Sequence, residues 1–447
     1  MLFKNREQLV RNGKTKELKQ IRNDVLDILT SAINAVDAYT VVKTCFDGKN
    51  IILGGKKFNI SDYDNIYLIG FGKASIRMAD SVCDSIPIKN GAVITNEKHK
   101  TVKNNCISTF FGSHPIPNQK NIFAADKLLD IVNKCKKNDL LIVLISGGGS
   151  ALFCKPRVNL NDFKKTISLL LKSGANIREI NTIRKHLSFV KGGQLAKFAK
   201  CTVISLIISD IVSNPIEFIA SGPIYPDSTT YNQTQSILKK YKLWMKIPIS
   251  IRKTINNGIH GDIPETPKKN DPVFNKVFNF IVANNETACN AAEEKAEELG
   301  YKTMLLTTNL DGEAKGIGRF LVEKAINYKT YVKKMIFISG GETTVNVRGK
   351  GIGGRNQEMV LSSVSKIANK NLVFSSFATD GIDGISKVAG AIADSFTLKR
   401  AIEKKLDPNL FLSKNNSYEF FKKLGDSFNT GLTGTNVMDV QLIIKFK

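Results

Sequence analysis

The chain has 447 residues, 42% hydrophobic and 23% charged, the balance of a folded globular protein long enough for two domains. Sixty-five Lys and Arg against 40 Asp and Glu give a net charge of +25, a field that favours anionic partners. The lysines are scattered as pairs such as Lys56-Lys57, Lys164-Lys165 and Lys404-Lys405. They neither form a basic arm nor interleave with aromatics, so charge alone does not mark a nucleic-acid binder.

The start, Met1-Leu2-Phe3-Lys4-Asn5-Arg6, lacks the apolar core of a signal peptide, and the longest apolar runs are only strand-length. A cytoplasmic protein without membrane spans is expected. Seven cysteines are odd in number and widely spaced, with no C-x-x-C pair, and the four histidines are scattered too. Neither a disulfide framework nor a zinc site is indicated.

Apolar positions at Ile21, Val25, Ile28, Leu29 and Ile33 predict one long amphipathic helix over 15–46. A short hairpin follows at Ile51-Ile52-Leu53 and Gly54-Gly55. Buried-type strands are then predicted at 66–70, 92–95, Leu140–Ile145 and Thr202–Ile208, with helices near 74–83, 122–135, 160–173 and 179–187. Continuous apolar strands between helices imply a parallel, doubly wound sheet covered on both faces. The stretch 261–271, with Pro264 and Pro267, reads as a linker. Two α/β domains, 1–270 and 271–447, follow from it. The second is expected to carry strands at 280–283, 303–307, 335–339, 343–347, 372–377 and 440–444.

Ligands of open α/β sheets bind beyond the carboxyl ends of strands, and five strands here run into small, polar or charged residues. These are Phe71-Gly72-Lys73-Ala74-Ser75, Ser146-Gly147-Gly148-Gly149-Ser150, Ser209-Asp210, Ser339-Gly340-Gly341-Glu342-Thr343 and Ala378-Thr379-Asp380. A glycine loop ahead of a helix offers backbone N–H groups to an oxyanion. Lys73 suits a phosphate as a point charge. Asp210 and Asp380 suit Mg²⁺ binding or acceptance of a hydroxyl proton. In Gly349-Lys350-Gly351-Ile352-Gly353-Gly354-Arg355-Asn356-Gln357-Glu358, Arg355 stands where a helix begins and offers a planar donor fork. No G-x-x-x-x-G-K-[ST] occurs, and neither Gly70-x-Gly72 nor Gly349-x-Gly351 continues to a proper G-x-G-x-x-G between a strand and a helix. That argues against P-loop and nicotinamide-dinucleotide sites.

Taken in order, these motifs resemble the class II glycerate 2-kinase family, whose C-terminal region is known as the MOFRL domain. The resemblance rests on Gly70-Phe71-Gly72-Lys73-Ala74, the loop from Ser146, INTIRKHLSFVKGGQLA (180–196), SDIVSNPIEFIASGP (209–223), Gly340-Gly341-Glu342-Thr343-Thr344, GGRNQE (353–358), TDGIDG (379–384) and TGLTGTNVMD (430–439). It implies two Rossmann-like α/β domains with largely parallel sheets, facing each other across an active-site cleft. It also implies ATP- and Mg²⁺-dependent phosphorylation of D-glycerate at the 2-hydroxyl by a monomer or homodimer.

On matching positions, Lys73 and Arg355 are implied to contact the transferring phosphoryl group or the substrate carboxylate. Asp210 and Asp380 form an acidic pair that binds metal or orients the hydroxyl. Ser146, Gly147, Gly148, Gly149, Ser150, Glu342 and Asn356 complete the cofactor pocket. Two stretches depart from the family pattern: Ser386-Lys387, where an acidic or polar residue is expected, and Phe153-Cys154-Lys155, where small apolar residues and proline are. A hydroxypyruvate reductase and a basic nucleic-acid-binding protein are the alternatives. The first needs a dinucleotide site that the motifs do not supply, and the second leaves the ordered loops unexplained.

Overall fold

The computed structural model describes residues 2–447 as two compact units that are discontinuous in sequence. One comprises Ala38–Ser209 and Asn214–Val282; the other combines the chain up to Asp37 with Asp210–Ser213 and Ala283–Lys447. The sequence suggested a single division near residue 270. The helix expected over 15–46 is two helices, Lys16–Ala35 and Ala38–Lys43, and its first part belongs with the C-terminal sequence. The stretch 261–271, expected as a linker, lies within the first unit, where Thr266 is buried and donates to Asp227 at 2.9 Å.

The first unit opens with a three-stranded antiparallel sheet of β1 (Phe46–Asp47), β2 (Asn50–Leu53) and β3 (Lys56–Asn59). Its main sheet has six strands: β4 (Ile66–Phe71), β5 (Asn90–Thr95), β6 (Ile107–Phe111), β7 (Leu140–Ile145), β8 (Thr202–Ile208) and β9 (Val277–Ala283). Their order is β6-β5-β4-β7-β8-β9, and the four pairings from β6 to β8 are parallel. β4 and β7 are buried at every position, as continuous apolar runs covered on both faces should be. β6 was not foreseen, and β9, expected to open the second domain, is instead an edge strand of this sheet.

The second unit holds β10 (Lys302–Leu310), β11 (Lys334–Gly341), β12 (Leu372–Ala378), β13 (Gly390–Asp394) and β14 (Asp439–Phe446) in the order β10-β11-β14-β12-β13. Here the expectation of a largely parallel sheet needs correction. Only β10 and β11 pair in parallel; β11–β14, β14–β12 and β12–β13 are antiparallel. The last strand returns between β11 and β12 and runs against both, so those two strands point the same way without touching. The strand expected at 343–347 is absent, replaced by a single bridge between Thr344 and Glu313.

The helix Lys16–Ala35 starts at Thr15, whose side chain caps Leu18 N–H, and it packs against Asn285–Glu298. It also carries a fully buried charge. Arg22 donates to Asp394 at 2.6 Å and to Asp426 at 2.8 Å, while Arg400 reaches the other Asp426 oxygen at 2.5 Å. Removing one partner of such a cluster leaves carboxylates buried without compensation, so Arg22→Met is expected to destabilise this unit by about 3–5 kcal/mol. Urea unfolding of the variant beside the parent chain measures it.

Candidate active site

Antiparallel insertion of β14 decides the geometry of the second unit's polar edge. Asp439, its first residue, is in register with Gly341 at the end of β11 and with Ala378 at the end of β12. One buried carboxylate is thereby held between two strand ends whose chains continue into Glu342 and into Thr379-Asp380. Arg355, first residue of the helix Arg355–Leu361, donates to Asp439 through Nε at 2.5 Å and Nη2 at 2.9 Å. Its Nη1 lies 2.8 Å from Glu342 Oε1. A bidentate fork fixes the guanidinium in plane as well as in position. Burial works against the Arg355 charge, but Asp439 and Glu342 hold it firmly in place.

Glu342 is the residue whose ionisation these surroundings change most usefully. Burial is the main cause that pushes its carboxyl up to about 7, Arg355 pulls it down, and Asp439, Asp210 and Asp380 push it up. The side chain still keeps 43% of its exposure. Asp210 and Asp380, predicted from separate motifs, thus act on the same carboxylate and both belong to this unit. The main chain around Asp380 is held by Thr433, whose N–H reaches Asp380 O at 3.3 Å and whose hydroxyl donates to Thr379 O at 2.5 Å.

The helix carrying Arg355 is anchored by Asp383. That buried carboxylate accepts from Asn356 N–H at 3.0 Å and Gln357 N–H at 2.9 Å, and from both amide side chains at 3.2 and 2.8 Å. Gly354 makes this approach possible, because a Cβ there would sit 2.3 Å from the Asp383 side chain. Asn356 is completely buried, accepts from Ser376 Oγ at 2.5 Å and also hydrogen-bonds Asp439. Its polar atoms face inward. The departure at Ser386 is absorbed into the same network, donating to Asp383 O and accepting from Gln357. Gly349 and Gly351 pack on Lys414 and Asn416 backbone, so their closeness serves the chain itself. A 470 Å³ cavity beside Arg355 is lined by Glu342, Thr343, Gly353, Glu358 and Asn415 among others.

In the first unit, β4 and β7 are adjacent, so the turns after them lie side by side. Lys73 N–H donates to Gly147 O at 2.9 Å and Ala74 N–H to Ser146 Oγ at 3.1 Å. Gly72 has φ +136°, and a Cβ there would fall 2.1 Å from Ser146 Oγ, which is why only glycine fits between the two loops. Ser150 Oγ is 2.7 Å from Ser221 Oγ, which donates to Asn181 at 2.9 Å. The helix after the glycine loop, Gly149–Leu152, is a single turn, so a helix dipole contributes little there. His114 lies against Gly148, and burial, then the Lys73 charge, lower its pKa. The departure at Phe153-Cys154-Lys155 lies largely in the core: Phe153 stacks on Phe71 at 4.5 Å and Cys154 is buried, while Lys155 pairs with Asp126.

Sequence reasoning named Arg355, Glu342, Asp210 and Asp380 but not Asp439 or Asp383, although both stand in motifs it had noted. The signal available was an aspartate at the first position of a closing apolar strand. Among the described residues, no three His, Cys, Asp or Glu side chains are arranged as a metal cage. No helix among them is long and apolar enough to cross a membrane.

A family model described as "Domain of unknown function (DUF4147)" matches residues 24–256, and that of the MOFRL family matches 335–439. A Pyrococcus horikoshii relative named glycerate 2-kinase is 42% identical, over 95% of this chain and 97% of its own. A Thermotoga maritima relative named D-glycerate 2-kinase is 35% identical over 94% of this chain and 98% of its own. A crystal structure of glycerate kinase from that organism superposes with a TM-score of 0.85 at 34% identity, covering 96% of this chain and all of the other. An Agrobacterium vitis relative, 36% identical over 84% of this chain and 86% of its own, is named putative hydroxypyruvate reductase.

Two outcomes follow from this geometry. Asp439→Asn loses the charged half of the fork that orients Arg355, and turnover is expected to fall about a hundredfold; steady-state kinetics measure it. Glu342 keeps, between the ordinary carboxylate range and about 7, a proton that the unfolded chain has released. Its contribution to stability therefore declines as pH rises across that interval. Glu342→Gln removes the decline, so the variant should gain in melting temperature relative to the parent between pH 5 and pH 8, read by thermal melts.

Proposed function

The chain belongs to the glycerate 2-kinase family, and we propose that it transfers the terminal phosphoryl group of ATP, with Mg²⁺, to the 2-hydroxyl of D-glycerate. The observation that carries this reading is the Arg355–Asp439–Glu342 ion cluster beside Asp210 and Asp380, in a chain whose relatives share that family over nearly their full length.

In the reaction, the 2-hydroxyl oxygen bonds to the γ-phosphorus as the bond from that phosphorus to the β,γ-bridging oxygen breaks. ADP leaves with the electron pair, and the hydroxyl proton passes to a carboxylate, Asp210 or Asp380. Little covalent work falls to the protein, so positioning and charge compensation supply the catalysis. Arg355, locked by Asp439, presents a fixed positive charge to the transferring phosphoryl group or to the glycerate carboxylate. Lys73, at the turn after β4, supplies a second cation, and Ser146, Gly147, Gly148, Gly149 and Ser150 form the loop that receives phosphate.

Mg²⁺ is usually held by one or two carboxylates and the nucleotide's own phosphates rather than by a cage. Asp210 and Asp380 would hold it here, and it would neutralise phosphate charge. The fit is supported by the carboxylates gathered around Glu342: burial first, then Asp439, Asp210 and Asp380, push its carboxyl up, and a bound cation would relieve them. Glu342 and Asn356 act in this reading through what they hold: Glu342 steadies Arg355, and Asn356 steadies Asp383 and Asp439.

Purified protein with Mg-ATP and D-glycerate should release ADP and give 2-phosphoglycerate. Lys73→Ala and Arg355→Ala are each expected to lower kcat by about 10²–10³-fold. ADP release that does not depend on glycerate would overturn the acceptor. NADH oxidation with hydroxypyruvate should be absent, since among the described residues Gly349-x-Gly351-x-x-Gly354 leads into the helix Arg355–Leu361 from no adjoining strand.

A further inference from the structure

Four residues behave unlike the chain on either side of them. Asp210–Ser213 belong with the second unit, while Ser209 before them and Asn214 after them belong with the first. The excursion ends on two successive left-handed residues, Ser213 at φ +64° and Asn214 at φ +52°. Side chains other than glycine adopt that conformation at a cost, and it persists only where the surroundings hold it. Such strain gathers at functional sites.

Asn309 holds the far end of the excursion. Its Oδ1 accepts from Ser213 N–H at 2.9 Å and from Ser213 Oγ at 3.2 Å. Asn309 lies near the end of β10, where the register with β11 slips twice, between Leu305 and Thr307 and between Thr307 and Leu310. Irregularities of this kind re-aim a side chain. The local turn is closed by Asn309 N–H, which donates to Thr307 Oγ1 at 3.0 Å. The next residue, Leu310, accepts the Glu342 N–H at 2.9 Å. Consecutive residues of β10 therefore tie down the Asp210 segment and the Glu342 main chain. Burial, and Asp210 among the acidic neighbours, raise the Glu342 carboxyl, in keeping with that closeness.

We propose that Asn309 is a positioning residue for phosphoryl transfer: by binding Ser213 it holds the Asp210 segment in its strained turn and the Asp210 carboxylate beside Glu342. Residues 210–213 form neither helix nor strand, so regular structure does not fix where Asp210 stands. A carboxylate that accepts a hydroxyl proton or holds a cation works only at the right distance, and loops keep such distances less well than strands do. Asn309 transfers the rigidity of β10 to the loop. It is exposed and stands outside the motifs that mark the family. This role rests on the phosphoryl-transfer reading for the use made of Asp210, while the anchor is measurable without turnover.

Hydrogen exchange on the full chain reads the anchor. In Asn309→Ala, amides of 209–215 should exchange faster than in the parent, with a melting temperature within about 2 °C, as befits a surface change. With Mg-ATP and D-glycerate the same variant should lose about tenfold in kcat and keep each KM within about twofold. Asn309→Asp, which still offers an oxygen to Ser213, should exchange like the parent and keep kcat within about threefold. In an Asp210→Ala background, Asn309→Ala should cost the residual turnover nothing further, because it acts through Asp210. Unchanged exchange in Asn309→Ala overturns the role, as does faster exchange with parental kcat, a loss that adds in full to that of Asp210→Ala, or an Asn309→Asp chain no better than Asn309→Ala. A parent chain without glycerate-dependent ADP release overturns the kinase reading and the catalytic purpose of the anchor with it, and faster exchange in Asn309→Ala would then keep only the anchor.

Discussion

The fork between Arg355 and Asp439 depends on a single topological fact, the antiparallel return of β14 between β11 and β12. Because strands on either side of an antiparallel neighbour share a direction, β11 and β12 deliver Glu342 and Asp380 to one edge, and the first residue of β14 arrives at that edge between them. A fully buried carboxylate is costly unless it is paired. Asp439 meets that condition only by holding the Arg355 guanidinium at 2.5 and 2.9 Å, and the helix bearing Arg355 is held in turn by Asp383. Each charge is where it is because the next one requires it.

The first unit solves a different problem with backbone. Two adjacent parallel strands end in turns that interlock through Lys73 N–H, Ala74 N–H and the Ser146 hydroxyl, and a side chain at Gly72 would break the fit. Such turns expose amides rather than side chains, which suits recognition of phosphate whatever is attached to it. Burial lowers the pKa of Arg184 and of Lys191 in that unit, whereas carboxylates crowd one another at the edge of the other. The net charge of +25 is spread over the surface and does not by itself distinguish these two environments.

Strand-by-strand alternation of apolar runs and helices made β4, β5, β7, β8 and their parallel order legible, since burial on both faces leaves an unbroken apolar run. The same reading missed β6, whose burial is uneven, and gave β9, expected as a strand at 280–283, to the wrong sheet; β9 is half-exposed up to Val282 and lies at an edge. It also failed to see that the helix Lys16–Ala35 belongs with the C-terminal sequence. That membership rests on Arg22 meeting Asp394 and Asp426, partners some 370 and 400 positions away, and no local pattern announces them.

By itself the sequence determined the family, through motifs whose order marks it and in which the glycine loops, Lys73, Asp210, Asp380, Glu342 and Arg355 stand. Composition and periodicity determined an α/β architecture as well, because strand and helix periods are properties of neighbouring residues. Only the tertiary structure decided which of the polar residues face inward. Asn356 and Asp383 became anchors and Asp439 the partner of Arg355 because sheet order, a long-range property of the whole chain, sets who lies beside whom.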